Sequence, residues 1–169
     1  KENTALSPTT PYGISKFAAE RIIEKAISNK EITGATIFRC NNIYGPGSDH
    51  GMMSFFIKNA LADSSIAVDG DGSQVREPVF ITDVISAITK ATTLAKPGIH
   101  TYNISGAEAK TLTEIGTHLS IALNKTIQIK LSGKSAGLPH SLRLDIQKAQ
   151  DELDWHPTIN LTQGIRLTI

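Results

Sequence analysis

The stretch TPYGISKFAAE, residues 10–20, decides how the rest of the chain is read. Thr10-Pro11 opens the segment, with Pro11 suited to a helix's first turn, where a proline loses no needed N–H. From there Ile14, Phe17, Ala18, Ile22, Ile23 and Ile27 recur at steps of three and four, so an amphipathic helix is predicted over residues 12–28. Tyr12 and Lys16 stand four residues apart and therefore share one face of that helix, about a turn from each other. An ammonium beside a phenol favours the phenolate, which makes the pair usable for acid–base chemistry, and the ammonium can also bond a ribose hydroxyl. Read as bare spacing, the same two residues more often mean a solvated helix surface.

Downstream, ATIFRC is β-branched and aromatic, as a buried parallel strand would be. The loop NNIYGPG follows it, at the strand end where open α/β sheets bind ligands. Residues 53–62 read as a second helix. SIAV and VFI read as short strands flanking the turn Asp69-Gly70-Asp71-Gly72, so a β-hairpin or a pair of small-sheet strands is expected. Thr82 or Asp83 is placed to cap a helix through Val84, Ile85, Ala87, Ile88 and Ala91, and Pro97-Gly98 leads into the strand HTYNIS. Thr111 or Thr113, with Glu114, opens a helix whose apolar face is Leu112, Ile115, Leu119 and Leu123. TIQIKL alternates like a half-buried strand, SGKSAGLPHS reads as an exposed loop, and helices are expected over residues 146–153 and 161–167. There is no internal repeat, and no linker suggests separately folding halves.

Bulk properties exclude several classes. With 40% hydrophobic and 20% charged residues the chain is a globular, core-forming sequence. Lys and Arg total 17 against 16 Asp and Glu, so no field favours nucleic acid or an anionic membrane, and an anionic ligand must meet a few placed cations. No apolar run approaches the roughly 20 residues that span a bilayer. The start KENTALSPTT lacks the pattern of a signal peptide, and the single Cys40 permits no internal disulfide, so a cytoplasmic protein is expected. The five histidines show no ligand spacing with carboxylates or Cys40, so no metal site is expected.

The string TPYGISKFAAE resembles the Pro-Tyr-Gly-x-Ser-Lys-x-x-x-Glu motif that opens the catalytic helix of extended short-chain dehydrogenases acting on nucleotide sugars, the NAD-dependent epimerase/dehydratase family. The likeness continues in order through FRCNNIYGPG, VDGDGSQVREPVFITDV, HTYNISG and the closing LDIQKAQDELDWHPTINLTQGIRLTI. It implies an α/β architecture: the C-terminal part of a Rossmann-like extended short-chain dehydrogenase fold with its small substrate-binding subdomain. The glycine turn of the N-terminal dinucleotide-binding βαβ units is not found in these 169 residues, since Gly70-Asp71-Gly72 reads as a hairpin turn. The chain is therefore expected to be a fragment, inactive when isolated. On the same resemblance, residues 1–48 belong to the end of the Rossmann-like domain and 49–169 mainly to the substrate subdomain, with about 79–105 returning to the first part.

The resemblance also assigns roles. Tyr12 becomes the proton-transferring acid/base and Lys16 the group that orients the NAD ribose, with Gly13 and Ser15 serving helix packing. Main chain at Cys40 and Asn41 approaches the nicotinamide. Asn42 and Arg76 hold the diphosphate of a nucleotide-diphosphate sugar, Val68 and Asp69 lie beside its base, and Arg143 is a second substrate cation. NAD is implied rather than NADP, mostly lost from this stretch, and a homodimer is expected. Without the resemblance, Asn41 and Asn42 read as turn residues, Arg76 as a surface cation and Asp83 as a helix cap rather than a catalytic carboxylate. Asp69, Pro78 and Asp154 depart from the family pattern, the last where Gly usually ends a helix. The alternative function is a non-catalytic nucleotide-sugar-binding or oligomerising module.

Overall fold

A computed structural model describes residues 1–94, 96–134 and 140–169. The middle of the expected loop SGKSAGLPHS, residues 135–139, lies outside the described residues.

Helix α1 (Pro11–Ser28) begins as its sequence dictates, with the Thr10 hydroxyl accepting the Gly13 N–H at 3.1 Å and proline in the first turn. It packs on strand β1 (Gly34–Cys40) and on β6 (Gly98–Ile104), which pair in parallel from Gly34↔Gly98 to Cys40↔Ile104. The periodic apolar residues do not form one inner face. Phe17, Ile23 and Ile27 turn toward the body, while Ile14, Ala18 and Ile22 stay exposed. Nor is β1 the buried strand that ATIFRC suggested, because none of its residues is fully buried. Among the described residues it hydrogen-bonds to β6 alone, so one edge has no strand beside it.

Of the two expectations for SIAV and VFI, a hairpin or a pair of small-sheet strands, the structure takes the second. Strand β3 (Ser65–Val68) pairs in parallel with β8 (Gln128–Leu131), and β5 (Val79–Phe80) pairs in parallel with β2 (Ile43–Tyr44). The Asp69–Gly72 turn instead leads into β4 (Val75–Arg76), which runs antiparallel to β7 (Lys110–Thr111). The turn residues mark a change of direction, but they do not choose a partner; the partners come from segments that bury more apolar surface. Approaching β8 the alternation is kept: Ile127 is buried, Ile129 half-buried, and Gln128 and Lys130 face out.

Two hydrophobic clusters result. One gathers α2 (Met52–Asp63), α4 (Leu112–Leu123) and α6 (Leu161–Thr168) around Tyr44, Phe56, Ile66, Phe80, Ile115, Leu119 and Ile165. The other joins α3 (Ile81–Thr93) and α5 (Gln147–Leu153) to β6 around Tyr102, Ile104, Leu153 and Trp155. Burial of each such large side chain contributes about 1.5–3 kcal/mol. Helix α4 is started by a capping box: the Glu114 carboxylate accepts the Thr111 N–H and the Thr111 hydroxyl accepts the Glu114 N–H.

Asp83 is not the cap of α3, and neither is Thr82. The helix begins at Ile81, after Phe80, with no side-chain cap. The Asp83 carboxylate, 3% exposed as part of its residue, accepts the Thr158 N–H and hydroxyl and the Ile159 N–H, while its carbonyl accepts the Trp155 indole N–H at 2.9 Å. This carboxylate fastens the C-terminal segment to α3, a demand that outcompetes capping. Asp154 ends α5 in the left-handed region at φ 48°, and its carboxylate meets the Lys90 ammonium.

Candidate functional site

The cleft that gathers most of the expected substrate residues has a volume of about 330 Å³ and lies among the Asn42 loop, the start of α2, the end of β3 and β4. Asn42 and Arg76 both line it, with Gln74, Asp69, Ala67, Met52, Phe55 and Leu142. Its floor is Arg76, only 5% exposed. The Arg76 Nη1 donates to the carbonyls of Val75 (2.7 Å) and His140 (3.4 Å), and among the described residues no carboxylate forms a salt bridge with it. Burial lowers the affinity of this guanidinium for its proton. A desolvated cation without a carboxylate beside it is a built demand for an anion, best met by the paired oxygens of a phosphate.

Asn41 faces away from the cleft. Its N–H donates to the Ile104 carbonyl, its Nδ2 donates to Leu142 O (3.0 Å) and Ser105 Oγ, and its Oδ1 accepts from Asn42 Nδ2 at 2.9 Å. Asn41 thus holds Asn42 at the cleft wall. Cys40 is half-buried at the end of β1, and burial pushes its thiol pKa up. The Val68 side chain points into the core, so the lining falls to its neighbours Ala67 and Asp69. Arg143 stands outside the lining: its Nε donates to Glu77 Oε1 at 3.0 Å, and its side chain is 66% exposed.

Tyr12 and Lys16 sit elsewhere, on the first turns of α1. Tyr12 is 73% exposed, and the Lys16 Nζ lies 5.4 Å from the centroid of its ring. Lys16 lines a second cleft of about 330 Å³, with Pro8, Gly13, Phe17, Glu20 and Arg39. The structure therefore brings Asn42 and Arg76 together on one cleft, places Lys16 on another, and leaves Tyr12 exposed beside Lys16, lining neither.

Sequence reasoning missed Gln74 and Glu77. Gln74 stands two residues before Arg76, a period-two spacing on an extended chain that could have placed it on the same wall. Its Nε2 donates to Asp69 O, which fixes the turn, while its buried Oε1 has no partner among the described residues. Glu77 is buried, and its carboxylate accepts from Arg143, from the Leu144 N–H and from the Ser105 hydroxyl, which ties segment 142–144 to β4. Nothing in the sequence marked it, since its partners are distant. Among the described residues no group of three His, Cys, Asp or Glu comes close enough to hold a metal ion, and no helix is long and apolar enough to cross a membrane.

A buried Arg and a loop Asn thus share a cleft on an α/β frame whose first helix carries a Tyr/Lys pair. Residues 1–105 match the NAD dependent epimerase/dehydratase family, and the chain belongs to that family. A Bacillus subtilis protein described as an uncharacterized UDP-glucose epimerase is 31% identical over 167 residues, covering 97% of this chain and 52% of its own length. A dTDP-glucose 4,6-dehydratase of Xanthomonas campestris is 30% identical over 180 residues, covering 99% and 50%. Among solved structures, UDP-glucuronic acid 4-epimerase from Bacillus cereus, in complex with UDP-glucuronic acid and NAD, superposes with a TM-score of 0.89 at 28% identity, covering 99% of this chain and 54% of that one. The dTDP-glucose 4,6-dehydratase from Bacillus anthracis in complex with NAD gives 0.86 at 29%, covering 99% and 53%. The fold is α/β and Rossmann-like, and the chain spans about half the length of the curated relatives it matches.

Proposed function

We propose that this chain supplies the nucleotide-sugar site and the proton-transferring helix of an NAD-dependent nucleotide-sugar epimerase or dehydratase. The carrying observation is Arg76, a buried guanidinium with no carboxylate salt bridge among the described residues, lining a cleft with Asn42. Arg76 and Asn42 hold the diphosphate, and the Ala67–Asp69 strand end lies beside the base. Tyr12 holds or moves the proton of the reacting sugar hydroxyl. Lys16, with no ion-pair partner among the described residues, fits a ribose hydroxyl, so Tyr12, Lys16 and the main chain at Cys40 and Asn41 would hold the nicotinamide side of NAD. NAD itself supplies reversible hydride acceptance. On this reading residues 1–48 and about 79–105 form the dinucleotide side and the remainder the substrate side, and the single half-buried Cys40 supports a cytoplasmic setting.

Titration calorimetry on the 169-residue chain tests the reading. UDP-glucose is expected to bind, and Arg76→Leu to weaken it about 30-fold or more. NAD is expected to bind only weakly, since no glycine turn lies within these residues to receive its pyrophosphate. Equal UDP-glucose affinity in the variant would sink the assignment of Arg76, and tight NAD binding would contradict the division of labour.

The exposed stripe of Ile14, Ala18 and Ile22 on α1 supports a second reading, in which the helix also pairs with another copy of the chain and the module serves assembly. Sedimentation equilibrium is expected to show a dimer that Ile22→Lys dissociates; a wild-type monomer at all concentrations would overturn this.

A further inference from the structure

Lys16 and Glu20 are placed to form an ion pair, being four residues apart on one face of α1 and lining the same cleft. They form none. Both oxygens of the Glu20 carboxylate are taken by Arg39, whose Nε donates to Oε1 at 2.9 Å and whose Nη2 donates to Oε2 at 2.6 Å. This is a two-pronged pair with little exposure, 21% for the Arg39 side chain and 12% for that of Glu20, and it holds the Glu20 carboxyl below the usual carboxylate range. The remaining Arg39 arm, Nη1, donates to the Glu2 carbonyl at 2.9 Å. Arg21 adds a distant contact to Glu20 Oε2 at 3.9 Å, but its close partner is Glu24. Lys16 is left facing the Tyr12 ring.

We propose that Arg39 is a positioning residue for Lys16: by occupying both Glu20 oxygens it prevents a Lys16–Glu20 pair and keeps the Lys16 ammonium directed toward Tyr12 and available to a ligand. The proposal rests on the assignment of Tyr12 and Lys16 as the working pair. It gives Arg39 a task separate from packing. Arg39 sits on β1 two residues before Asn41, so the strand that sets the Asn42 loop also sets the free cation on α1. A lysine at position 39 would offer a single ammonium, which cannot satisfy both carboxylate oxygens in the same planar way.

The test reads Lys16 without substrate, cofactor or turnover, and so stands apart from the activity of Tyr12 variants. The 169-residue chain is treated with an amine-acylating ester, and modification of Lys16 is followed by peptide mass spectrometry, with the exposed Lys58 as internal reference. Arg39→Gln is expected to slow acylation of Lys16 about two- to fivefold, as Glu20 turns to pair with it. Glu20→Gln combined with Arg39→Gln is expected to restore the wild-type rate, which a purely structural role for Arg39 would not do. Should Arg39→Gln melt below the assay temperature, Arg39→Lys replaces it, with slowing in the same direction and the same reversal by Glu20→Gln. An unchanged rate in the single variant, including through capture of Glu20 by Arg21, or a rate that stays slow in the double variant, overturns the proposal.

Discussion

Tyr12→Phe is expected to lower nucleotide-sugar turnover about a hundred- to ten-thousandfold while leaving nucleotide-sugar affinity unchanged. The substitution removes one oxygen and little else. Tyr12 is largely exposed, and the helix does not depend on its hydroxyl: Thr10 caps the first turn, and the Ser15 hydroxyl bonds the Tyr12 carbonyl rather than its side chain. The ring that faces Lys16 is retained in Phe, so the melting temperature should stay where it is. The sugar's phosphates are assigned to Arg76 and Asn42, in a cleft that Tyr12 does not line, so binding and proton transfer separate between KM and kcat. The measurement is steady-state conversion of UDP-glucose with NAD by a polypeptide joining these residues to a dinucleotide-binding half. Turnover that survives the loss of the phenol would remove Tyr12 from the chemistry.

Gly106→Ala is expected to destabilise the fold by about 3 kcal/mol, a fall of about 6–12 °C in melting temperature for a chain of this size. A Cβ at Gly106 would stand 2.0 Å from the Pro78 carbonyl oxygen and 2.9 Å from its carbon. Both are main chain, and neither side can yield. Pro78 lies between Glu77, whose carboxylate is held by Ser105, Leu144 and Arg143, and β5, paired to the strand after Asn42. Gly106 follows Ser105, so pushing it back disturbs the Glu77 knot and with it the adjacent Arg76. The variant should therefore also bind UDP-glucose less tightly. A melting shift under about 2 °C, well below the expected range, would show that the Pro78 carbonyl moves freely.

The parts of this fold written in short-range signals were legible. Thr10-Pro11 and the three-and-four spacing gave α1, and Thr111 with Glu114 gave the start of α4, because caps and periodicity act within a few residues. Which side of α1 faces inward was not legible, since Ile14, Ala18 and Ile22 are as apolar as Phe17, Ile23 and Ile27, and only the position of β1 and β6 separates the two sets. For the same reason the turn could not decide between a hairpin and two separate small-sheet strands. SIAV and VFI flank a good turn, but their partners, β8 and β2, are decided by packing over long sequence separations. Motif order proposed Arg76 and Asn42 for one ligand, and the two do line one cleft, whereas the engagement of Arg143 by Glu77 was not legible, because that pair spans 66 residues. Asp83 shows the opposite error: its position suited a local cap, and a distant segment claimed it.

The attachment of the last residues to the middle of the chain has a consequence in time. The Trp155 indole reaches back 72 residues to Asp83, and Tyr44, whose ring lies against Gly164, bonds Leu161 across 117. A ribosome delivers these partners in order, at roughly 5–20 residues per second. Until α6 has emerged from the exit tunnel, the wall around Tyr44 has no lid, and the apolar faces of α2 and α4 are open to whatever else is in the cell. These two long-range ties therefore close late relative to the elements they fasten, after the helices and strands between them have been made.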